Sequence, residues 1–124
     1  MKNIIHTDNA PKAIGPYSQA VMAGGMLFVS GQIPINPQTG ELSNGTIQEQ
    51  TKLVMDNIGA ILKAAGYGYE NIVKTTCLLA DINDFAAMNK VYAEYFPTNP
   101  PARSAFAVKD LPKGARLEIE VIAQ

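Results

Sequence analysis

The chain alternates between stretches with a two-residue hydrophobic period, typical of strands, and two stretches with a helical period. Gly24-Gly25 separates two strand-like stretches and predicts a tight hairpin. Two prolines and three glycines between residues 31 and 45 argue against a central strand in that region. The predicted strands are 2–6, 19–23, 26–30, 72–79, 102–108 and 116–123.

Two helices are predicted between these strands. Thr46 and Glu49 have the spacing of a capping box, and the helix that they open ends at Gly66. Asn83 is placed to cap the second helix, and Pro97 ends it. Each helix has an apolar face, formed by Ile47, Val54, Ile58, Ile61, Leu62 and Ala65 in the first and by Phe85, Met88, Val91, Tyr92 and Tyr95 in the second.

This order of elements predicts one α+β domain over residues 1–124, with a mixed sheet and both helices on one face of it. Several strands are nevertheless apolar on both faces. Because two helices cannot cover both faces, a second copy of the chain in a closed symmetric assembly is the simplest cover. We therefore predict a homo-oligomer. The apolar pairs are Met26 and Phe28 alternating with Leu27 and Val29, and Val73 and Leu79 alternating with Ile72 and Leu78.

The composition of the 124 residues excludes several classes of protein. A single cysteine, Cys77, permits no intramolecular disulfide, and the first residues lack the apolar core of a secretory signal, so we expect a cytoplasmic protein. Ten Lys and Arg against eleven Asp and Glu leave no basic footprint for nucleic acid or anionic membrane. The longest apolar stretch, 20–29, is about half the ~20 residues that span a bilayer.

The inventory of reactive residues is small. One His and one Cys, far apart in the chain, form no zinc-ligand pattern, and the glycine signatures of nucleotide and dinucleotide sites are missing. We therefore expect neither a metal nor an organic cofactor. Cys77 lies within an apolar strand, where a thiol usually serves as packing.

The remaining candidates for a functional site are two glutamates of the last strand and one arginine. In the last strand Arg116, Glu118 and Glu120 share one face, with carboxylates about 7 Å apart. They form either a solvated face held by cross-strand ion pairs or part of a site. Arg103 follows the rigid Pro100-Pro101 turn, and its planar fork suits a carboxylate ligand. An ion pair between Arg103 and one of the two glutamates is the alternative.

Five motifs follow one another along the chain: Gly15-Pro16-Tyr17-Ser18-Gln19-Ala20, Val29-Ser30-Gly31-Gln32-Ile33-Pro34, Asp84-Phe85-Ala86-Ala87-Met88-Asn89, Pro101-Ala102-Arg103-Ser104 and Leu117-Glu118-Ile119-Glu120. Together they resemble the Rid family of reactive intermediate deaminases, in its RidA-like branch. The resemblance covers essentially the whole chain. It implies a chorismate-mutase-like α+β fold and a homotrimer with three active sites in the clefts between subunits.

Members of this branch hydrolyse 2-imino acids, released by pyridoxal-phosphate-dependent dehydratases of serine and threonine, to 2-keto acids and ammonia. The resemblance implies that Arg103 binds the substrate carboxylate and that Glu118 positions or activates the attacking water. It also implies a catalytic role for Tyr17. The matching cleft residues are Ser30, Gly31 and Asn89.

Backbone groups at Gly31 and Ala105 are further candidates to hold the substrate carboxylate or the imine nitrogen. Many members of the branch have Cys after the Arg-Ser pair, whereas this chain has Ala105. Because the implied mechanism uses water, we expect activity to survive and thiol-dependent behaviour to be lost.

Two other functions remain open. A non-catalytic protein that binds 2-keto acids would need Arg103 but would gain little from Glu118, so loss of turnover without loss of binding in Glu118→Ala separates the two. A ribonuclease or translation inhibitor is associated with the same family. The near-neutral charge argues against it, and a steep salt dependence of RNA binding would support it.

Overall fold

The computed structural model describes residues 1–124 and contains six strands and two α-helices. The helices are α1 (Ile47–Ala64) and α2 (Phe85–Tyr92). The strands are β1 (Lys2–Ile5), β2 (Ala20–Ala23), β3 (Met26–Gln32), β4 (Ile72–Leu79), β5 (Ala102–Ala107) and β6 (Leu117–Ala123).

All six strands form one sheet in the order β1-β2-β3-β6-β4-β5. Every neighbouring pair is antiparallel except β4 and β5, which are parallel, so the predicted mixed α+β sheet is confirmed. The connection from β4 to β5 contains α2, which is the usual way to join parallel neighbours. One edge of β5 is left without a strand partner.

The first helix begins where the capping box predicts. The Thr46 Oγ1 accepts a hydrogen bond of 3.1 Å from the Glu49 amide, and the Glu49 Oε1 accepts one of 2.9 Å from the Thr46 amide. At the other end, Gly66 has a φ of +81°, a conformation that favours glycine and turns the chain out of the helix.

The core lies between the helices and one face of the sheet. Val54, Ile58 and Leu62 of α1 are fully buried, as are Leu27 of β3 and Ile119 of β6. This packing confirms that both helices lie on one face, because the apolar stripes of α1 and α2 belong to one buried cluster with the strand residues of that face.

The opposite face of the sheet is apolar and open in the single chain. Phe28 pairs with Ile122 across β3 and β6, and Leu78 pairs with Phe106 across β4 and β5. Phe28 and Phe106 remain 45% and 48% exposed. Apolar residues on both faces were predicted, and the structure confirms them. The homo-oligomer that would cover this face stays a prediction.

Local geometry corrects several predicted details. A register shift between Ile72 and Lys74 exposes Val73, so it does not share the buried face of Leu79. Asn83 does not cap α2. Its amide donates to the Asp81 Oδ1 at 2.9 Å, within a short 3-10 turn that leads into the helix.

The end of β3 and the start of β6 also differ from prediction. The strand β3 continues through Gly31 to Gln32, because a bulge after Val29 lets it keep pairing with β6 despite the glycine. Arg116 lies just outside β6. No helix is both long enough and apolar enough to cross a membrane.

The capping box generates a test of stability. We expect Thr46→Ala to lower the free energy of unfolding by about 1 kcal/mol, because the Glu49 amide loses its acceptor. Urea denaturation followed by circular dichroism measures the change. Thr98→Ala, at an exposed threonine beyond the second helix, is the matched control and should leave the midpoint unchanged.

Candidate active site

A pocket of about 590 Å³ opens beside the bulged end of β3 and the start of β6. The loop between β1 and β2 forms another wall of it. The pocket brings together five of the residues singled out in the sequence, Gly31 among them, together with two lysines. Its polar lining includes Tyr17, Ser30, Glu118, Glu120, Lys12 and Lys113.

The Glu118 side chain fills the space beside Gly31 that a side chain at this position would occupy. The Glu118 carboxyl group lies against the Gly31 Cα, and a Cβ at that position would stand only 2.8 Å from the Glu118 Cδ. Any side chain would therefore displace the carboxylate. The β-bulge and the missing Cβ together create the space that Glu118 occupies.

The environment of Glu118 favours its protonated form. Partial burial raises the pKa of the Glu118 carboxyl above its usual range, and the negative charge of Glu120 raises it further. Glu120 is exposed and two residues away on the same face of β6. A raised pKa makes a carboxylate a stronger base towards a proton of water or substrate.

Two hydrogen bonds to main-chain carbonyls fix the part of the pocket wall that contains Tyr17 and Ser30. The Tyr17 amide donates to the Gly15 carbonyl at 2.9 Å around Pro16, and Gly15 has a φ of +130° that favours glycine. The Ser30 hydroxyl donates to the Ser18 carbonyl at 2.6 Å. Tyr17 itself is about half exposed and lines the pocket.

Arg103 lies elsewhere, beneath α2. Its Nη1 donates to the Asn89 Oδ1 at 2.6 Å. The guanidinium carbon lies 4.8 Å from the ring centroid of Tyr92 and 5.3 Å from that of Phe85. The Tyr92 hydroxyl is in turn hydrogen-bonded to the Thr75 Oγ1 at 2.8 Å. The two aromatic rings and the Asn89 side-chain amide therefore fix the orientation of the Arg103 guanidinium.

No carboxylate of the chain forms a salt bridge with Arg103. The alternative that it pairs with Glu118 or Glu120 of the same chain is therefore wrong. Arg116 does not join those glutamates either, because its Nη2 donates to the Asp84 Oδ1 at 2.9 Å. The predicted face held by cross-strand ion pairs is accordingly wrong too, although Glu118 and Glu120 do share a face of β6.

The register of the sheet separates Arg103 from Glu118. Thr75 is the neighbour of Arg103, and the Thr75 side chain contacts Tyr92, so both lie on the helix-covered face. Leu78 is the neighbour of Glu118, and the three-residue offset from Thr75 places that pair on the open face. Within one chain, therefore, the two predicted catalytic residues lie on opposite faces of the sheet.

Phe85 and Tyr92 were predicted only as apolar core positions, and their contact with Arg103 was missed. A signal was present in the sequence. Phe85, Asn89 and Tyr92 are spaced four and three residues apart, which places one amide on the otherwise apolar face of a helix. An amide in that position needs a polar partner, and Arg103 is that partner.

The comparisons with known proteins cover nearly the whole chain. A family model described as endoribonuclease L-PSP matches residues 7–124. The chain is 51% identical over 99% of its length to the 2-iminobutanoate/2-iminopropanoate deaminase of Homo sapiens, covering 90% of that protein. A solved protein of the conserved Rid family from Yersinia pestis superposes with a TM-score of 0.97 at 53% identity, covering 99% of this chain and 98% of that one.

The E. coli protein TdcF, solved with bound serine, superposes with a TM-score of 0.93 at 48% identity and covers 98% of both chains. This chain belongs to the Rid family. The resemblance inferred from the five motifs is thus confirmed. The deaminase name belongs to the human relative, and the bound serine belongs to TdcF.

In this Rid protein, Ala105 is next to Cys77 in the sheet, on the face that carries Arg103. Cys77 is buried, and burial raises the pKa of its thiol to about 11, although the Arg103 charge acts in the opposite direction. Its interpretation as packing is confirmed by this burial. Ala105 leaves a small, half-buried surface two residues from Arg103 on β5.

The glutamate pair of this Rid protein generates a pH prediction. Glu120→Gln should lower the pKa of Glu118, because one of the two causes of the raised value is removed while burial remains. Carboxyl-carbon NMR titration of Glu118 measures the shift, with Glu94→Gln as a control remote from the pocket.

The same pair affects stability. Because the folded pKa of Glu118 lies above the unfolded one, the folded chain binds the extra proton, and the free energy of unfolding falls as pH rises between the two values. Glu120→Gln should reduce that fall. A pKa of Glu118 that stays the same or rises in the variant would contradict this account.

Proposed function

We propose that this protein hydrolyses small 2-imino acids, such as 2-iminobutanoate and 2-iminopropanoate, to 2-keto acids and ammonia. The observation that carries the proposal is the Arg103 guanidinium, which is fixed by Asn89 and two rings but forms no salt bridge within the chain. A guanidinium fixed in this way has donors left for the carboxylate of a ligand.

The carboxylate alone does not define the reaction. A 2-imino acid has an electrophilic C=N carbon directly next to its carboxylate. A guanidinium that binds the carboxylate therefore also fixes the position of the reacting carbon. Glu118, with its raised pKa, is the candidate for moving protons there. No cofactor is needed, because water adds to a C=N carbon without one.

We propose that each active site forms between two copies of the chain. Arg103 and Glu118 lie on opposite faces of one sheet, so a single small molecule cannot touch both in one chain. The Arg103 half of one copy would face the Glu118 pocket of the next. The open apolar face and the unpaired edge of β5 are surfaces suited to such an assembly.

A homotrimer is the assembly that the family resemblance implies. A ring of three copies, each contacting the next head to tail, closes on itself and creates three identical sites. Such a closed assembly leaves every Arg103 half opposite a Glu118 half. We place it in the cytoplasm, where a chain with one cysteine and no disulfide is expected.

The reaction would run through a tetrahedral intermediate. The Glu118 carboxylate takes a proton from water as the water oxygen bonds to the imine carbon, and the C=N electron pair goes to nitrogen, which receives that proton from Glu118. The intermediate carries both the new hydroxyl and the amino group on one carbon. The hydroxyl proton is then transferred through Glu118 to the amino group, the C–N bond breaks with its electron pair on nitrogen, and ammonia departs as the C=O bond forms.

The other predicted residues would position the reactants. Tyr17 and Ser30 line the Glu118 pocket, and their oxygens are candidates to hold the attacking water or the imine nitrogen. Gly31 admits the Glu118 carboxyl group by lacking a side chain. Asn89 directs Arg103, and Ala105 offers a backbone group and a small surface beside it.

The relatives support this assignment. The human protein at 51% identity is named for the same two imino acids. TdcF was solved with bound serine, which carries a carboxylate and a nitrogen on adjacent carbons, as a 2-imino acid does. A protein that only binds such metabolites is the second candidate, since a bound amino acid is also what a sensor would show.

Cleavage of RNA is a weaker candidate, despite the description of the matching family model. The two carboxylates of the pocket offset its two lysines, and the chain carries a net charge of -1. Neither provides the excess of positive charge that a polyphosphate ligand needs.

The central experiment generates the imine with a threonine dehydratase and traps the remainder with semicarbazide. We expect the wild-type protein to lower the amount of trapped imine. Arg103→Ala should lower the rate of imine loss on the order of 100-fold, because it removes the charge-assisted bonds to the substrate carboxylate. Arg116→Ala is the matched control and should keep full activity, because its side chain pairs with Asp84.

The remaining outcomes separate the candidate functions. If trapped imine is the same with and without wild-type protein while 2-ketobutyrate binds, the protein is a binder and the deaminase proposal fails. If Glu118→Ala loses turnover but still binds 2-ketobutyrate, the role of Glu118 in catalysis is supported. Full activity of Arg103→Ala would overturn the assignment of the carboxylate site.

A further inference from the structure

Gln19, at the entrance to β2, is a buried polar residue with an unusual number of partners. It is only 2% exposed. Its Oε1 accepts a 2.7 Å hydrogen bond from the Thr7 amide. Its Nε2 lies 3.0 Å from the Thr7 carbonyl, 2.8 Å from the Pro11 carbonyl and 3.4 Å from the Ala10 carbonyl. One side chain therefore satisfies backbone groups along a five-residue stretch.

These bonds close a loop. The side chain of Gln19 is hydrogen-bonded to the backbone of residues 7–11, and the main-chain carbonyl of Gln19 accepts a 3.0 Å hydrogen bond from the Ser30 amide in β3. Residues 12–18 lie between these two attachments, so one residue fixes both ends of the segment. Lys12, Ile14 and Tyr17 of this segment line the Glu118 pocket.

We propose that Gln19 is a positioning residue for the active site, which sets the wall carrying Tyr17 opposite Glu118. The inference rests on the proposed imine hydrolysis and deepens it. Gln19 borders the pocket, but the polar atoms of its side chain are all engaged with the backbone of residues 7–11, so it acts through the loop.

A purely structural role would predict a different result. Loss of buried hydrogen bonds lowers stability wherever it occurs, but loss of positioning affects the reacting end of the substrate alone. The substrate carboxylate would still be held by Arg103 from the neighbouring copy. The effect of substitution should therefore appear in kcat and leave KM nearly unchanged.

Gln19→Met keeps the size of the side chain and removes every bond of the amide. We expect kcat for imine hydrolysis to fall at least about tenfold and KM to change by less than about twofold. Hydrogen exchange should accelerate at the Thr7 amide and through residues 8–18. If this variant fails to fold, Gln19→Asn, which keeps the amide but is one carbon too short, should show the same pattern more weakly.

Gln50→Met is the matched control. Gln50 is likewise a buried glutamine, 3% exposed, whose Nε2 donates to the Gly45 carbonyl at 3.0 Å, and it does not line the pocket. Met removes one hydrogen bond and also an unpaired buried oxygen, Oε1, and these changes have opposite effects on stability. We expect this variant to keep kcat and the exchange rates of residues 7–18.

The possible outcomes are distinct. Unchanged kcat in Gln19→Met, or an equal fall in Gln50→Met, would overturn the positioning role. A rise in KM at constant kcat would also overturn it. If the wild-type protein does not accelerate imine loss, the proposed function fails instead. Unchanged exchange in residues 7–18 of Gln19→Met would then overturn the loop-closing role on its own.

Discussion

The alternation of side chains along a strand is the constraint on which the rest of this structure depends. It places Arg103 on the helix-covered face of the sheet and Glu118 on the open face, and no rotamer can bring them together. Each half is nevertheless well built. The arginine is fixed by an amide and two rings, and the glutamate fits against a glycine in a bulge. Because the two residues lie on opposite faces of one sheet, we propose a site shared between copies.

The same constraint connects stability with function. The apolar stripe of α2 buries Met88 in the core and, at its margin, holds Phe85 and Tyr92 against Arg103, so one helix serves both purposes. The open face keeps Phe28 and Phe106 exposed in the single chain. A second copy of the chain packed on this open face would bury the exposed rings and so stabilise the fold. The same contact would complete the proposed sites.

Much of this could be predicted from the sequence. Strand β4 has the predicted ends, and the capping box opens α1 where expected, because both depend on neighbouring residues alone. The candidate residues of the site were also predicted, from the family motifs. Which of them share a face of the sheet was not predicted. The two-residue period of a strand shows which of its own residues share a face, but not which residues of the neighbouring strand lie on that same face. Arg103 was considered as a partner of Glu118, and only the register of β4 with β5 and β6 excludes that pairing.

The most direct test of the shared site mixes two inactive chains. Arg103→Ala and Glu118→Ala are coproduced with different tags, and assemblies containing both are purified and assayed for imine hydrolysis. In a ring trimer with sites between neighbours, every assembly that contains both variants has two copies of one and one copy of the other, so about a third of its sites combine an intact Arg103 with an intact Glu118. We therefore expect about a third of wild-type activity from the purified mixed assemblies and almost none from either variant alone. Mixed assemblies as inactive as the separate variants would contradict it.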